Sequence, residues 1–306
     1  MSSSADPIIV LDSGLGGLTV VRALRQTLPC EDILYFGDTA RVPYGSKSAQ
    51  TVTMFVRQII AYLLPHHPKH VVIACNTATA LALPALRKEF PQLPISGVLE
   101  PGARAAVEAA GAKEHPVIGV IGTEATVRSG AYEKAILRRR QHARVVGRAT
   151  PLLAPIIEEG RADDDPLVEL ALKQYLRPLI AEAIDVLVLG CTHYPVYKEL
   201  IGRIMGRGVA VIDSADKCAQ DVRRRLRAMG LLHAGGAGDG SLRCFVTDNS
   251  PRFGALASQF LGLEIGRPEH VCTDDLHALD ARLPRPPVVV TISAKAAADV
   301  LMRLAN

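Results

Sequence analysis

Two short stretches of the chain share one pattern, Val72-Ile73-Ala74-Cys75-Asn76-Thr77 and Val188-Leu189-Gly190-Cys191-Thr192-His193. In each, an apolar run is followed by a small residue, a cysteine and two polar residues. Apolar runs that lack polar alternation are typical of strands buried on both faces of a parallel sheet. Each stretch, here called a cysteine segment, therefore predicts a buried strand with a cysteine at its carboxyl end.

Further apolar runs and helix-like segments surround the cysteine segments. Strands are predicted at 8–11, 70–74, 117–121, 186–189 and 209–212, and helices at 18–28, 48–64, 80–89, 102–110, 167–184 and 216–229. Strands that alternate with helices are typical of α/β proteins, in which helices cover both faces of a parallel sheet. The predicted fold class is therefore α/β.

An internal similarity predicts two α/β domains of related plan. The stretch Ile9-Val10-Leu11-Asp12-Ser13-Gly14 is similar to Val120-Ile121-Gly122-Thr123, and each of them precedes one cysteine segment. Ligands of open parallel sheets bind beyond the carboxyl ends of the strands. We therefore expect the polar ends of these four strands to face one central cleft.

Composition and charge exclude several classes of protein. The 306 residues are 48% hydrophobic and 22% charged, which is typical of globular domains. The net charge is only +4, and the arginine clusters at 138–140 and 223–225 are interpreted as solvated helix faces, so no nucleic-acid partner is expected. The absence of a signal-peptide pattern and of a long apolar run predicts a cytoplasmic protein without a membrane partner. The six cysteines form no CxxC pair, so no metal site is predicted.

Cys75 and Cys191 are placed where a thiol can act in catalysis. At the start of a helix, partial positive charge favours the thiolate. Two thiols on opposite faces of one carbon would invert its configuration, because one removes a proton and the other returns a proton to the opposite face. The carbanion that forms next to a carboxylate needs donors already in place. Backbone N–H groups can serve, together with the side chains of Asn76, Thr77, Thr123 and Thr192.

Asp12 and His193 are the expected acid–base assistants of the two thiols. Asp12 opens the run Asp12-Ser13-Gly14-Leu15-Gly16-Gly17, which lacks both the P-loop pattern and the dinucleotide fingerprint. We interpret this glycine run as a cradle for a small carboxylate at a helix N-terminus.

At these residues the chain resembles the glutamate racemases of bacterial cell-wall synthesis. The similarity covers about residues 7–272, and its blocks are LDSGLGGLTV at 11–20, YFGDTARVPYG at 35–45, ACNTA at 74–78, EPG at 100–102 and GCTHYP at 190–195. The resemblance implies a cofactor-independent interconversion of L- and D-glutamate, supplying D-glutamate for peptidoglycan. The expected partner is therefore a small-molecule substrate, glutamate.

The resemblance also implies roles for individual residues. Cys75 would take the proton from D-glutamate with help from Asp12, and Cys191 would take it from L-glutamate with help from His193. Glu158 would be a further carboxylate near the second cysteine. Substrate contacts would come from Ser13, Pro43, Tyr44, Gly45, Asn76, Thr77, Thr123, Thr126 and Thr192.

The family fold implies two α/β domains around a buried cleft. It assigns residues 7–99 together with 215–272 to a discontinuous first domain and residues 100–214 to a second. A short C-terminal extension, 273–306, lies beyond the similarity. In it we expect a strand at 288–292 and a helix at 294–304, docked on the body, and a homodimer is one assembly left open.

Two alternative functions are left open by the residues. An aspartate or hydantoin racemase would share the plan of two cysteines, although the block at 190–195 favours glutamate. A two-domain protein that closes on a small ligand without turnover would share the cleft, but binding alone gives no reason for paired thiols. Assays of the candidate amino acids side by side separate these functions.

Overall fold

A computed structural model describes residues 2–235, 239–249, 253–262 and 266–280. The described chain forms strands that follow one another as β1 (Ile8–Asp12), β2 (Ile33–Gly37), β3 (His70–Ile73), β4 (Ile95–Gly97), β5 (Val117–Gly122), β6 (Arg144–Ala149), β7 (Val186–Gly190), β8 (Ala210–Ile212), β9 (Leu242–Val246) and β10 (Glu269–His270).

Helices connect these strands. They are α1 (Leu18–Thr27), α2 (Ala49–Leu63), α3 (Asn76–Leu81), α4 (Leu83–Glu89), α5 (Leu99–Ala109), α6 (Glu124–Arg128), α7 (Ala131–Leu137), α8 (Leu153–Glu158), α9 (Pro166–Ala181), α10 (Lys198–Met205), α11 (Ala215–Ala228), α12 (Phe253–Leu261) and α13 (Thr273–Asp280).

The strands assemble into two parallel sheets. One has six strands in the order β10-β9-β2-β1-β3-β4, and the other has four in the order β6-β5-β7-β8. Every paired neighbour runs parallel. The prediction of an α/β fold with two parallel sheets is confirmed.

Burial on both faces explains why the central strands are continuous apolar runs. In β1, Ile8 and Val10 belong to the hydrophobic core beneath α1 and α11, whereas Ile9 and Leu11 belong to the core beneath α2. Successive side chains of a strand point to opposite faces, so both alternating sets must be apolar. Full burial of an aliphatic side chain stabilises the fold by roughly 1.5–3 kcal/mol.

The chain completes the six-stranded sheet only after it has built the four-stranded one. Strands β1–β4 come first, β5–β8 form the second sheet, and β9 and β10 then join the first. The domain boundaries given above, 7–99 with 215–272 and 100–214, stay a prediction.

The beginning of the predicted C-terminal extension is the helix α13. It packs against α2, and Asp280 forms an ion pair with Arg57. The strand expected at 288–292 and the helix expected at 294–304 lie outside the described residues.

His70 in β3 is a buried histidine whose titration should destabilise the protein in acid. Its Nε2 lies 2.8 Å from the hydroxyl of Ser96, and burial, together with the charge of Arg225, lowers its pKa to about 4. An unfolded chain takes up this proton near pH 6.5. Neutral His70 therefore makes its full contribution to stability above pH 6.5. This contribution is lost as the pH falls to about 4, which lowers the free energy of unfolding by roughly 3 kcal/mol.

The variant His70→Gln tests this expectation, because glutamine can keep the hydrogen bond to Ser96 but does not titrate. Urea unfolding at pH 7.5 and at pH 4 gives the free energy of unfolding under each condition. Between the two, this free energy should fall by roughly 3 kcal/mol more in the wild type than in the variant. Equal losses in the two proteins would mean that His70 is not the acid-sensitive group.

None of the helices in the described ranges combines the length and the apolar composition that crossing a bilayer requires.

Candidate active site

The carboxyl ends of the two sheets meet around one cavity of about 100 Å³. Cys75 follows β3 of the first sheet, and Cys191 follows β7 of the second. Both cysteines line the cavity, and the complete lining consists of Ser13, Val42, Pro43, Tyr44, Gly45, Cys75, Asn76, Thr77, Thr123, Ala154, Pro155, Glu158, Cys191, Thr192 and His193.

Cys75 is held at the start of α3. Its Sγ accepts a hydrogen bond of 3.4 Å from the backbone N–H of Ala78 and lies 3.6 Å from the Ser13 hydroxyl. Burial and the nearby Asp12 carboxylate nevertheless raise the pKa of the thiol to about 12. The N–H at the helix start favours the thiolate as expected, but desolvation outweighs it, so the net effect on the pKa is the opposite of the one expected.

Cys191 is the first member of a hydrogen-bonded chain with His193 and Glu158. Its Sγ lies 3.6 Å from Nδ1 of His193, and Nε2 of His193 lies 2.9 Å from Oε1 of Glu158. Burial lowers the pKa of His193, but the hydrogen bonds and charges of Cys191 and Glu158 outweigh it and raise that pKa well above its usual value. The arrangement favours the protonated form of His193 between Cys191 and the Glu158 carboxylate.

Asp12 connects the two cysteine segments. Its side chain is 1% exposed, and it accepts hydrogen bonds of 3.0 Å from the Gly14 N–H and of 3.3 Å from the Thr192 hydroxyl. Burial raises the pKa of this carboxyl, while the charge of His193 opposes the rise. Asp12 thus binds the Thr192 hydroxyl of the second cysteine segment, and its negative charge raises the pKa of Cys75 in the first.

Three threonine hydroxyls form a cluster across the cleft. Thr77 of α3 lies 2.9 Å from Thr123 and 3.1 Å from Thr126 of α6, and the latter two are 3.0 Å apart. Each hydroxyl has one proton, so three mutual hydrogen bonds use all three protons and leave only lone pairs; a hydroxyl can donate to a ligand when it gives up one of these contacts.

The loop Pro43-Tyr44-Gly45 is anchored from behind by Asp38. The carboxylate of Asp38 accepts hydrogen bonds from the Tyr44 hydroxyl, from Nε of Arg41 and from the hydroxyl of Thr247. Asp38 is fully buried, and these three donors compensate its desolvation. The loop therefore forms a fixed wall of the cavity.

The structure brings all the predicted site residues together. All of them line the cavity except Asp12 and Thr126, which are hydrogen-bonded to the lining residues Thr192 and Thr77. Their individual roles stay predictions. In the described ranges, no group of three or more histidine, cysteine or acidic side chains is placed to hold a metal ion.

Sequence reasoning missed three apolar lining residues, Val42, Ala154 and Pro155. Ala154 and Pro155 precede Glu158 by four and three positions in α8. Residues at these spacings share a face of a helix. The helical periodicity of α8 was therefore a signal that could have identified Ala154 and Pro155.

The glycine run has a different role from the one expected. A Cβ atom on Gly16 would lie 2.5 Å from Oγ1 of Thr192 and 2.7 Å from Nδ1 of His193, and one on Gly17 would lie 2.6 Å from Cβ of Asp12. Protein side chains fill this space. The interpretation of Gly16 and Gly17 as an open anion cradle is wrong: these glycines let side chains approach the backbone closely.

Comparisons with known proteins agree with this architecture. The model of the Asp/Glu/Hydantoin racemase family matches residues 17–222. The glutamate racemase of Neisseria meningitidis is 45% identical over 256 residues, which are 84% of this chain and 93% of the relative. That of Geobacter metallireducens is 45% identical over 257 residues, with the same coverage of both chains.

Solved structures give the same result. The crystal structure of the glutamate racemase from Francisella tularensis, in complex with D-glutamate, matches with a TM-score of 0.81 at 35% identity, covering 89% of this chain and 99% of that one. The glutamate racemase from Thermus thermophilus, in complex with β-chloro-D-alanine, matches with a TM-score of 0.78 at 42% identity, covering 90% of this chain and 100% of that one. The resemblance seen in the sequence is confirmed, and the chain belongs to the Asp/Glu/hydantoin racemase family.

Proposed function

We propose that this protein is a glutamate racemase, which interconverts L- and D-glutamate with Cys75 and Cys191 and supplies D-glutamate for peptidoglycan synthesis. One observation carries the proposal: two thiols from the carboxyl ends of different sheets line the same small cavity. A substrate carbon between them would be accessible from both sides.

The proposed reaction moves one proton off Cα and another onto it. With D-glutamate, the Cys75 thiolate removes the Cα proton and becomes a thiol, and the electron pair is delocalised into the adjacent carboxylate. The Cys191 thiol then gives its proton to the opposite face and becomes a thiolate. With L-glutamate the two cysteines exchange roles. The same two residues therefore carry out both directions of the reaction.

Substrate binding has to generate the thiolate. Burial raises the pKa of Cys75 to about 12. The α-ammonium group of glutamate would bring a positive charge beside both thiols, and an adjacent opposite charge favours the ionised form. At Cys191, Nδ1 of His193 lies 3.6 Å away, and the raised pKa of His193 favours its positively charged form there. The Asp12 carboxylate supplies no such positive charge beside Cys75; it would assist that thiol by accepting its proton, and burial raises the pKa of the Asp12 carboxyl.

The lining supplies donors for two carboxylates. The side chains of Ser13, Asn76, Thr77, Thr123 and Thr192 are polar and uncharged, and they surround the two thiols. Donors of this kind bind the two carboxylates, and those that contact the α-carboxylate also stabilise the negative charge that develops on it during deprotonation of Cα. The proposal assigns substrate binding to these residues, to Thr126 through the threonine cluster, and to the loop Pro43-Tyr44-Gly45.

The relatives favour glutamate over aspartate or a hydantoin as the substrate. The similar curated proteins from Neisseria meningitidis and Geobacter metallireducens are glutamate racemases, and the Francisella tularensis relative was crystallised with D-glutamate. Family membership also favours an enzyme over a binding protein.

We also propose that the enzyme is cytoplasmic, needs no cofactor and has no nucleic-acid partner. The arginine clusters carry ion pairs, Arg138 and Arg139 with Glu100, and Arg225 with Asp221, which reduce their positive potential. A homodimer stays a prediction.

Racemisation of L-glutamate in deuterated water tests the function. With L-glutamate as the only added small molecule, chiral chromatography should show D-glutamate. Mass spectrometry should find one deuterium at Cα of the D-glutamate, while the remaining L-glutamate is unlabelled early in the reaction, because a second, solvent-exchanged thiol delivers the new proton. L-Aspartate and a hydantoin serve as comparison substrates. Unlabelled D-glutamate, or faster turnover of a comparison substrate, would contradict the proposal.

A further inference from the structure

Only the oxygen atom of the Asn76 amide group has a hydrogen-bond partner in the described residues. The residue is 2% exposed and lines the cavity beside Cys75. Its Oδ1 accepts a hydrogen bond of 2.7 Å from the hydroxyl of Tyr132 in α7. Its Nδ2 is buried without an acceptor among the residues that the structure describes. A buried amide that lacks one partner costs free energy unless a ligand completes it.

The Tyr132 hydroxyl determines which end of the Asn76 amide is paired. The phenol is buried, and burial raises its pKa, so the hydroxyl keeps its proton. It donates this proton to Oδ1 of Asn76. The NH₂ group is then the end left for the cavity.

The ring of Tyr132 fits a slot formed by two glycines. A Cβ on Gly102 of α5 would lie 3.2 Å from its hydroxyl, and one on Gly190 of β7 would lie 3.3 Å from its Cε2. Tyr132 itself is 3% exposed. Because both contacts are with backbone that cannot move easily, the phenol has one position, and so does the hydrogen bond to Asn76.

We propose that Tyr132 is a positioning residue, which orients the Asn76 amide so that its NH₂ group donates a hydrogen bond to a carboxylate oxygen of bound glutamate. The inference rests on the proposed function, since it needs an anionic substrate in this cavity. Without the tyrosine hydroxyl, the amide is free to rotate by half a turn and to present Oδ1, which repels a carboxylate.

The variant Tyr132→Phe tests the proposal, because it keeps the ring and removes only the hydroxyl. The hydrogen bond to a charged carboxylate is made before and during the reaction, so its loss should affect binding rather than turnover. We expect the KM for both enantiomers, and the Kd for D-glutamate measured by calorimetry, to rise about tenfold. The kcat should stay within about twofold of the wild type.

A double-mutant cycle separates positioning from a general structural effect. If Tyr132 acts through Asn76, then Tyr132→Phe should leave the Kd of an Asn76→Ala protein almost unchanged. Tyr197→Phe is the matched control. Tyr197 is equally buried, and its hydroxyl donates to the backbone carbonyl of Arg161, outside the cavity lining. The control should lose stability without any tenfold change in Kd.

Each outcome of these measurements decides the inference. Additive effects of Tyr132→Phe and Asn76→Ala on Kd, or a fall in kcat with unchanged Kd, would overturn it while racemisation by the wild type still supports the proposed function. A wild-type protein that neither binds nor racemises glutamate would overturn both the inference and the function.

Discussion

Replacing either Cys75 or Cys191 by alanine is expected to reduce racemisation by about 10³-fold or more, in both directions. Each direction needs one thiolate to remove the Cα proton and one thiol to protonate the opposite face. The loss of either sulfur therefore leaves half of the reaction without a proton carrier. Because the reaction is an equilibrium between enantiomers, a variant cannot lose one direction and keep the other.

The fold should survive both substitutions. Each side chain loses one sulfur atom from a cavity wall, and each backbone position accepts alanine. Cys218→Ala is the matched control, because Cys218 is a buried free cysteine in α11 and lies outside the cavity lining. Chiral chromatography and thermal unfolding of all three variants should show inactive, folded proteins for positions 75 and 191 and an active one for position 218. Wild-type turnover by either of the first two would refute the two-thiol proposal.

Strands β1, β3 and β7 could be predicted from the sequence because both of their faces are buried. In β1, β3 and β7 every residue is buried, and such strands stand out as uninterrupted apolar runs. Strands β2, β4, β6, β9 and β10 were not predicted. Strand β2 is as fully buried as β1, so burial alone did not reveal it. Strands β6 and β10 were missed for the opposite reason. They lie at sheet edges, and the largely solvent-accessible run RVVGRA of β6 carries two arginines. Strand β10 has only two residues.

The identities of the site residues could be predicted from chemistry and from family resemblance, but their electrostatics could not. The local sequence around Cys75 shows a helix start, which favours a thiolate. The desolvation that raises the pKa of this thiol to about 12 comes instead from walls that the rest of the chain folds around it. Tyr132 escaped prediction for the same reason, since only the folded chain brings its hydroxyl to Asn76.

Gly16→Ala is expected to reduce kcat by about 100-fold, although the residue carries no functional group. The new Cβ would lie 2.5 Å from Oγ1 of Thr192 and 2.7 Å from Nδ1 of His193, so both side chains must move. His193 is the hydrogen-bond partner of Cys191, and Thr192 donates to Asp12. A displacement of about 1 Å in such groups is enough to cost two orders of magnitude in rate.

Gly202→Ala provides the control for an added methyl group. Gly202 lies in α10, and a Cβ there would meet no described atom within 4 Å. Alanine is also the better helix former by about 1 kcal/mol, so this variant should be at least as stable as the wild type and fully active. Kinetic assays in both directions and thermal unfolding of the two variants make the comparison. If Gly16→Ala racemises glutamate at the wild-type rate, then close packing of the glycine run against the second cysteine segment is not what holds His193 in place.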